Sequence, residues 1–158
     1  MIRIKMSCDA NDALARLDGM IDRSRDFRPV FRWAKQELQK ANAENFAANG
    51  LPVGGWSPLS AKYGAWKARN FPGAPIMVQS GKLRQSLTNF RTADSRIDLL
   101  EAEFGTSIDY AKFHQYGTTR MPKRKIVFVP DLFAKQLAEK SADHVVGDGR
   151  SFVARLFR

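Results

Sequence analysis

Apolar and polar positions alternate over Met1-Ile-Arg-Ile-Lys-Met-Ser7, and that period of two predicts a strand. The period then changes. Ala10, Leu14, Leu17 and Ile21 fall at helical spacing behind Asp9, a residue suited to cap them. Pro29 fits the first turn of a second, longer helix whose stripe runs through Phe31, Ala34, Leu38, Ala41 and Asn45-Phe46, with Gly50 as its stop. From Leu51 to Pro75 the periodicity fails. This stretch is rich in glycine and proline and holds Trp56, Tyr63, Trp66 and Phe71, so it predicts a long connection. A connection of that length suggests an arm or lid that orders on assembly, the alternative being a loop pinned by Trp56 and Trp66.

Ser80 is placed to cap a brief helix through Leu87. Asn89 to Arg91 and Arg96 to Phe104 read as two strands around a turn at Thr92-Ala-Asp-Ser95. Asp109 to Tyr116 makes two helical turns closed by Gly117, and Ile126-Val-Phe-Val129 reads as a buried strand ended by Pro130. Leu132, Phe133, Gln136 and Leu137 mark a last helix, and Gly147-Asp-Gly149 breaks the chain before a short tail. The predicted fold is α+β: a small, mostly antiparallel sheet packed on one long helix and several short ones. Residues 1–146 form one domain, with the long connection at 51–75 and a C-terminal helical tail at 147–158. In that tail Phe152, Val153, Leu156 and Phe157 share a face opposite Arg155 and Arg158. Eight residues are too few to hold a helix alone, so the stripe must bury itself and is expected to dock on another subunit, packing back on the parent domain being the alternative.

Composition narrows the class. Of 158 residues 44% are hydrophobic, enough to close one core without metal or disulfide staples. Cys8 is the single cysteine, which excludes an internal disulfide and fits assembly in a reducing cytoplasm. No run of about 18 apolar residues exists to span a bilayer, and the N-terminal stretch lacks the apolar run of a signal peptide. The net charge of +10 favours a polyanionic partner, and it is unevenly placed. No acidic residue occurs between Asn45 and Ala93, or between Tyr110 and Pro130. The second stretch carries Arg120, Lys123, Arg124 and Lys125 around Pro122, and like charges so close must be solvated or paired. They are expected on an exposed loop facing DNA or an acidic neighbour; a merely solvated face is the plainer reading.

Candidate chemistry is sparse. His114 and His144 lie far apart and neither stands in a metal-ligand spacing with Cys8, so no metal or cofactor is expected. Ser80-Gly-Lys82 has the look of a phosphate loop, but Leu83 takes the place of the hydroxyl and the upstream residues are not glycine-rich. Glu101 and Glu103 share one face of a predicted strand with no apolar pocket beside them. No catalytic residue is expected.

Three stretches in order carry a resemblance: Trp56-Ser-Pro-Leu-Ser60, Gln79-Ser-Gly-Lys-Leu-Arg-Gln-Ser-Leu87 and Tyr110-Ala-Lys-Phe-His-Gln-Tyr-Gly117, followed by a basic Met121-Pro-Lys-Arg124 turn. Together they resemble the signature of the phage virion-morphogenesis or tail-completion family, which includes proteins of Mu-like phages. Trp56, Gly81, Leu83, Tyr110, His114 and Gly117 are the residues that stand out as its structural motif. Similar proteins tend to have arginine, proline and phenylalanine in succession after the basic turn, where this chain has Arg124-Lys-Ile126. The resemblance implies a non-enzymatic homo-oligomeric ring, of about six-fold or twelve-fold symmetry, at the head–tail junction or the head-proximal end of the tail. It implies contacts with other neck and tail proteins and genomic DNA passing non-specifically through the lumen. The protein would sit in the virion, after assembly in the host cytoplasm. The rival is a free DNA-binding or packaging protein, whose signature would be basic and aromatic residues interleaved on one surface.

Overall fold

A twenty-residue helix, α2 (Arg28–Ala47), is the axis of the fold. The computed structural model describes residues 10–90 and 94–147. The predicted first strand, Asp9, Cys8 and the tail residues Phe152, Val153, Leu156 and Phe157 lie outside them. Pro29 sits in the first turn of α2, where its missing N–H costs nothing. The turn is closed by Asp26, whose carboxylate accepts from the Arg28 backbone N–H at 3.0 Å and from its guanidinium at 2.6 and 2.8 Å. One face of α2 buries Val30, Ala34, Ala41, Asn42, Asn45 and Phe46.

Against the first half of α2 lies α6 (Phe133–Val146), and α1 (Asn11–Ser24) packs on α6. Trp33 of α2 stacks on Phe133, ring centroids 6.2 Å apart. Arg23 of α1 caps the far end of α6, donating Nε to the Val145 carbonyl at 2.9 Å and Nη2 to that of Val146 at 3.1 Å. No residue of α1 is buried. Leu14, Leu17 and Ile21 are all about half exposed.

The core gathers at the other end of α2. Phe46, Trp56, Val78, Leu83, Leu87, Phe90, Ala111 and Ile126 form it. Leu83 and Leu87 come from α4 (Lys82–Thr88), and Ala111 from α5 (Ala111–Tyr116). The connection from 51 to 75 is not structureless. It opens with a 3-10 turn, Leu51–Val53, and contains a ten-residue helix, α3 (Ala61–Asn70), capped by Ser60. Gly50 makes the reversal: its φ is +79°, and a Cβ there would stand 2.3 Å from the Trp56 ring. No residue but glycine lets Trp56 fold back onto Phe46.

Three further expectations are corrected. Helix α4 starts from Gly81, in the left-handed region at φ 78°, and Ser80 makes no capping bond. The hairpin is β1 (Ser95–Ile97) against β2 (Ala102–Phe104), antiparallel, with Ile97 opposite Ala102. Its turn is therefore Asp98 to Glu101, inside the predicted second strand, closed by the Asp98 N–H donating to the Glu101 carbonyl at 2.8 Å; Arg91, Thr92 and Ala93 of the predicted first strand and turn lie outside the described residues. Residues 126–129 join no sheet: among the described residues the sheet has two strands. Side chains replace the missing ladder. The Gln115 carbonyl oxygen accepts from Ile126 N and Val127 N at 2.9 and 3.0 Å, and that of Asn42 accepts from Phe128 N at 2.8 Å.

Candidate functional site

The motif stretches that lie apart in sequence meet around one open cleft of about 870 Å³. Pro58 to Ser60 and α3 form one side, Met77 to Leu83 the floor, and α5 with the Arg120–Arg124 turn the other side. The lining mixes two characters. Leu83, Val78, Met77 and Met121 are apolar, with Tyr63, Tyr110 and Phe113 as aromatic walls, while every charged residue in it is basic. Lys67, Lys82, Arg120 and Arg124 line the cleft, no carboxylate does, and among the described residues none of the four forms an ion pair.

Two of these cations hold the site together. Arg124 is buried, 5% exposed, and so departs from the exposed loop that the charge pattern predicts. Its guanidinium instead donates Nε to the Ser57 carbonyl and Nη2 to that of Pro58, each at 2.9 Å, while its backbone N–H donates to the His114 carbonyl at 2.8 Å. Arginine fits because its planar fork reaches both carbonyls at once. Burial pushes its value below the usual guanidinium range. Lys67, also buried, donates Nζ to the Pro75 carbonyl, and burial pushes its ammonium down. It thereby ties α3 to the start of the floor.

His114 stands edge-on to Tyr110, ring centroids 6.1 Å apart. Its Nδ1 is buried with no hydrogen-bond partner among the described residues, so a proton there would be an unsatisfied donor. Burial first, and the charge of Arg124 second, hold the imidazole below its ordinary value of 6.5. The ring is a neutral wall.

The remaining motif residues divide by role. Trp56 is not part of the cleft: its ring packs edge-on against Phe46, and its Nε1 donates to the Lys125 carbonyl at 2.8 Å. Gly117 closes α5 at φ 77°, where a Cβ would press within 2.9 Å of the Lys123 backbone nitrogen. Gly81 and Leu83 lie on the floor and Tyr110 on the wall. Arg120 is exposed at the mouth; Lys123 and Lys125 are exposed outside the lining. Lys67, Tyr63, Lys82 and Phe113 complete the site; Lys82 and Phe113 fall within the motif stretches, whereas no motif takes in Lys67 or Tyr63. The acid-free stretch from Asn45 to Ala93 is the one signal for Lys67.

The cleft offers cations, aromatic faces and an apolar floor; it suits a ligand that is anionic and partly apolar. Among the described residues no three His, Cys, Asp or Glu side chains cluster as a metal site, and no helix is long and apolar enough to cross a membrane. Comparison with curated proteins and with solved structures finds no match. The family described as phage virion morphogenesis does match, over residues 8–143, which takes in all three motif stretches and the basic turn. The chain belongs to the phage virion morphogenesis family.

Proposed function

We propose that this protein is a structural subunit of the phage particle, working as one member of a ring at the head–tail junction or the head-proximal end of the tail, with DNA passing through its centre. The observation that carries this reading is the amount of large apolar surface the subunit leaves open. Leu14, Leu17 and Ile21 on α1, Leu99 and Leu100 at the hairpin tip, Tyr116 after the cleft and Leu132 before α6 are all at least about half exposed. Scattered apolar residues need no explanation, but stripes and paired side chains of this size mark surfaces that are covered by a partner. The subunit also keeps Lys123 and Lys125 solvated and without carboxylate neighbours in sequence, which suits non-specific contact with a phosphate backbone.

The experiment is a native mass measurement with electron microscopy on purified protein free of nucleic acid. A closed oligomer with a central opening is expected. A monomer that assembles only on DNA would favour the free DNA-binding alternative.

A further inference from the structure

Every charged side chain in the cleft is basic, and the same chain carries an exposed acidic and apolar tip at its other end. We infer that the hairpin tip Asp98-Leu-Leu-Glu101 of one subunit seats in the basic cleft of the next copy, so that the contact runs head to tail. This deepens the proposed ring and rests on that reading.

Three observations on the tip carry it. The tip presents two adjacent leucines to solvent, Leu99 at 50% and Leu100 at 67% exposure, between two carboxylates. It is held in shape: the Asp98 N–H donates to the Glu101 carbonyl at 2.8 Å, and the Phe27 N–H donates to the Leu99 carbonyl at 2.7 Å. A tip already fixed gives up little entropy on docking. Arg96 pairs with Asp98, which leaves the exposed Glu101 and Glu103 as the acidic edge turned to solvent.

The cleft is the complement. At its mouth Lys82 and Arg120 are exposed, and its floor and walls offer Leu83, Met77, Tyr110 and Phe113 to apolar side chains. Its volume of about 870 Å³ lies in the range of built binding sites and exceeds what two leucines need. A phosphate backbone would meet the two outer cations but leave the apolar floor empty, so a peptide tip is the better occupant.

Placement decides the geometry. The tip is fastened at the N-terminal end of α2 through Phe27, whereas the cleft wall is fastened at its C-terminal end, where Trp56 packs on Phe46 and donates to Lys125. Twenty helical residues set these ends about 30 Å apart. Complementary patches at opposite ends of one chain cannot satisfy each other within it, and between copies they make a heterologous contact that closes into a ring or runs on as a filament.

Two variants test this, each altered only at exposed side chains. A tip-blocked chain carries Leu99→Ser and Leu100→Ser; a cleft-blocked chain carries Lys82→Glu and Arg120→Glu. Each is expected to keep the wild-type circular dichroism and to self-associate about a hundredfold more weakly, because the first removes the leucines from the interface and the second sets like charges against each other. Mixed together, they should form a one-to-one dimer and nothing larger, since one good tip and one good cleft remain. Adding Glu101→Lys and Glu103→Lys to the cleft-blocked chain should restore the oligomer, which separates a broken interface from a damaged fold. Variants that keep the wild-type mass would overturn the contact while leaving the ring intact. So would monomers that fail to pair on mixing, or a cleft-blocked chain that loses DNA binding but not assembly. A wild-type chain that stays monomeric at every concentration would instead overturn the ring reading, and this contact with it.

Discussion

Arg124 occupies a position where its charge meets no carboxylate, yet it is one of the most enclosed polar groups in the protein. What it satisfies is backbone: two carbonyls of the segment leading into α3. Removing the side chain in Arg124→Ala leaves those carbonyls without their donor and opens the cleft wall. Hydrogen bonds to charged groups contribute about 1.5–3 kcal/mol, so the expected loss is roughly 2–4 kcal/mol by chemical denaturation. Arg124→Lys keeps the charge but reaches only one carbonyl and should fall between the two; a lysine variant as stable as wild type would show that the fork is unimportant. His114 gives a second, pH-dependent test. Its folded value lies below 6.5, so below that pH the unfolded chain binds a proton that the folded chain resists. The stability His114 allows is complete above 6.5 and is lost as pH falls through the folded value. The thermal midpoint should therefore drop between pH 7 and pH 5, and His114→Gln should flatten that part of the profile. An unchanged profile in the variant would place the titrating group elsewhere.

At the level of elements, the helices are legible where a stripe of apolar residues runs long enough to be read. Helix α2 and its Pro29 start follow from the pattern, as does the close of α5 at Gly117. Helix α3 escapes it because Gly64 sits in its middle and the flanking glycines and prolines dominate the composition. The segment 126–129 reads as a buried strand because four apolar residues run together before Pro130, yet only Ile126 is wholly buried while Val127 and Val129 are exposed. What the pattern cannot reveal is that its hydrogen bonds go to side chains. Gln115 and Asn42, both spent on this backbone, are the residues sequence reasoning could not find, since an amide in a helix has no period of its own. The cleft is half legible: its three stretches stand out as separate motifs, and only the fold shows that they face one another. Gln115→Leu should leave the buried Ile126 N–H without an acceptor and cost about 1–3 kcal/mol in denaturant unfolding. Gln115→Glu retains the acceptor oxygen and should stay close to wild type; equal losses in both would mean that packing, not the shared acceptor, fixes the segment.

For the whole molecule, the charge excess divides into parts with different work. Of the four cations that the sequence places together on one loop, Arg124 is structural and Arg120 belongs to the cleft mouth, which leaves Lys123 and Lys125 as the solvated pair. Reversing all four would therefore confound folding, assembly and DNA binding. Reversing two separates them. Lys123→Glu with Lys125→Glu touches no side-chain hydrogen bond found in the structure, although the Lys125 carbonyl, which receives the Trp56 and Asn45 donors, is backbone and stays. Thermal stability and oligomer mass should then match wild type. If these lysines face DNA in the ring, each phosphate they neutralise adds about 0.9 to the slope of log affinity against log salt on duplex DNA, so the double reversal should reduce that slope by about 2 per subunit engaged. Fluorescence anisotropy on a mixed-sequence duplex over a salt series measures it. A slope unchanged by the double reversal, with assembly intact, would show that DNA is met by another surface of the subunit and that the basic turn serves only the neighbouring chain.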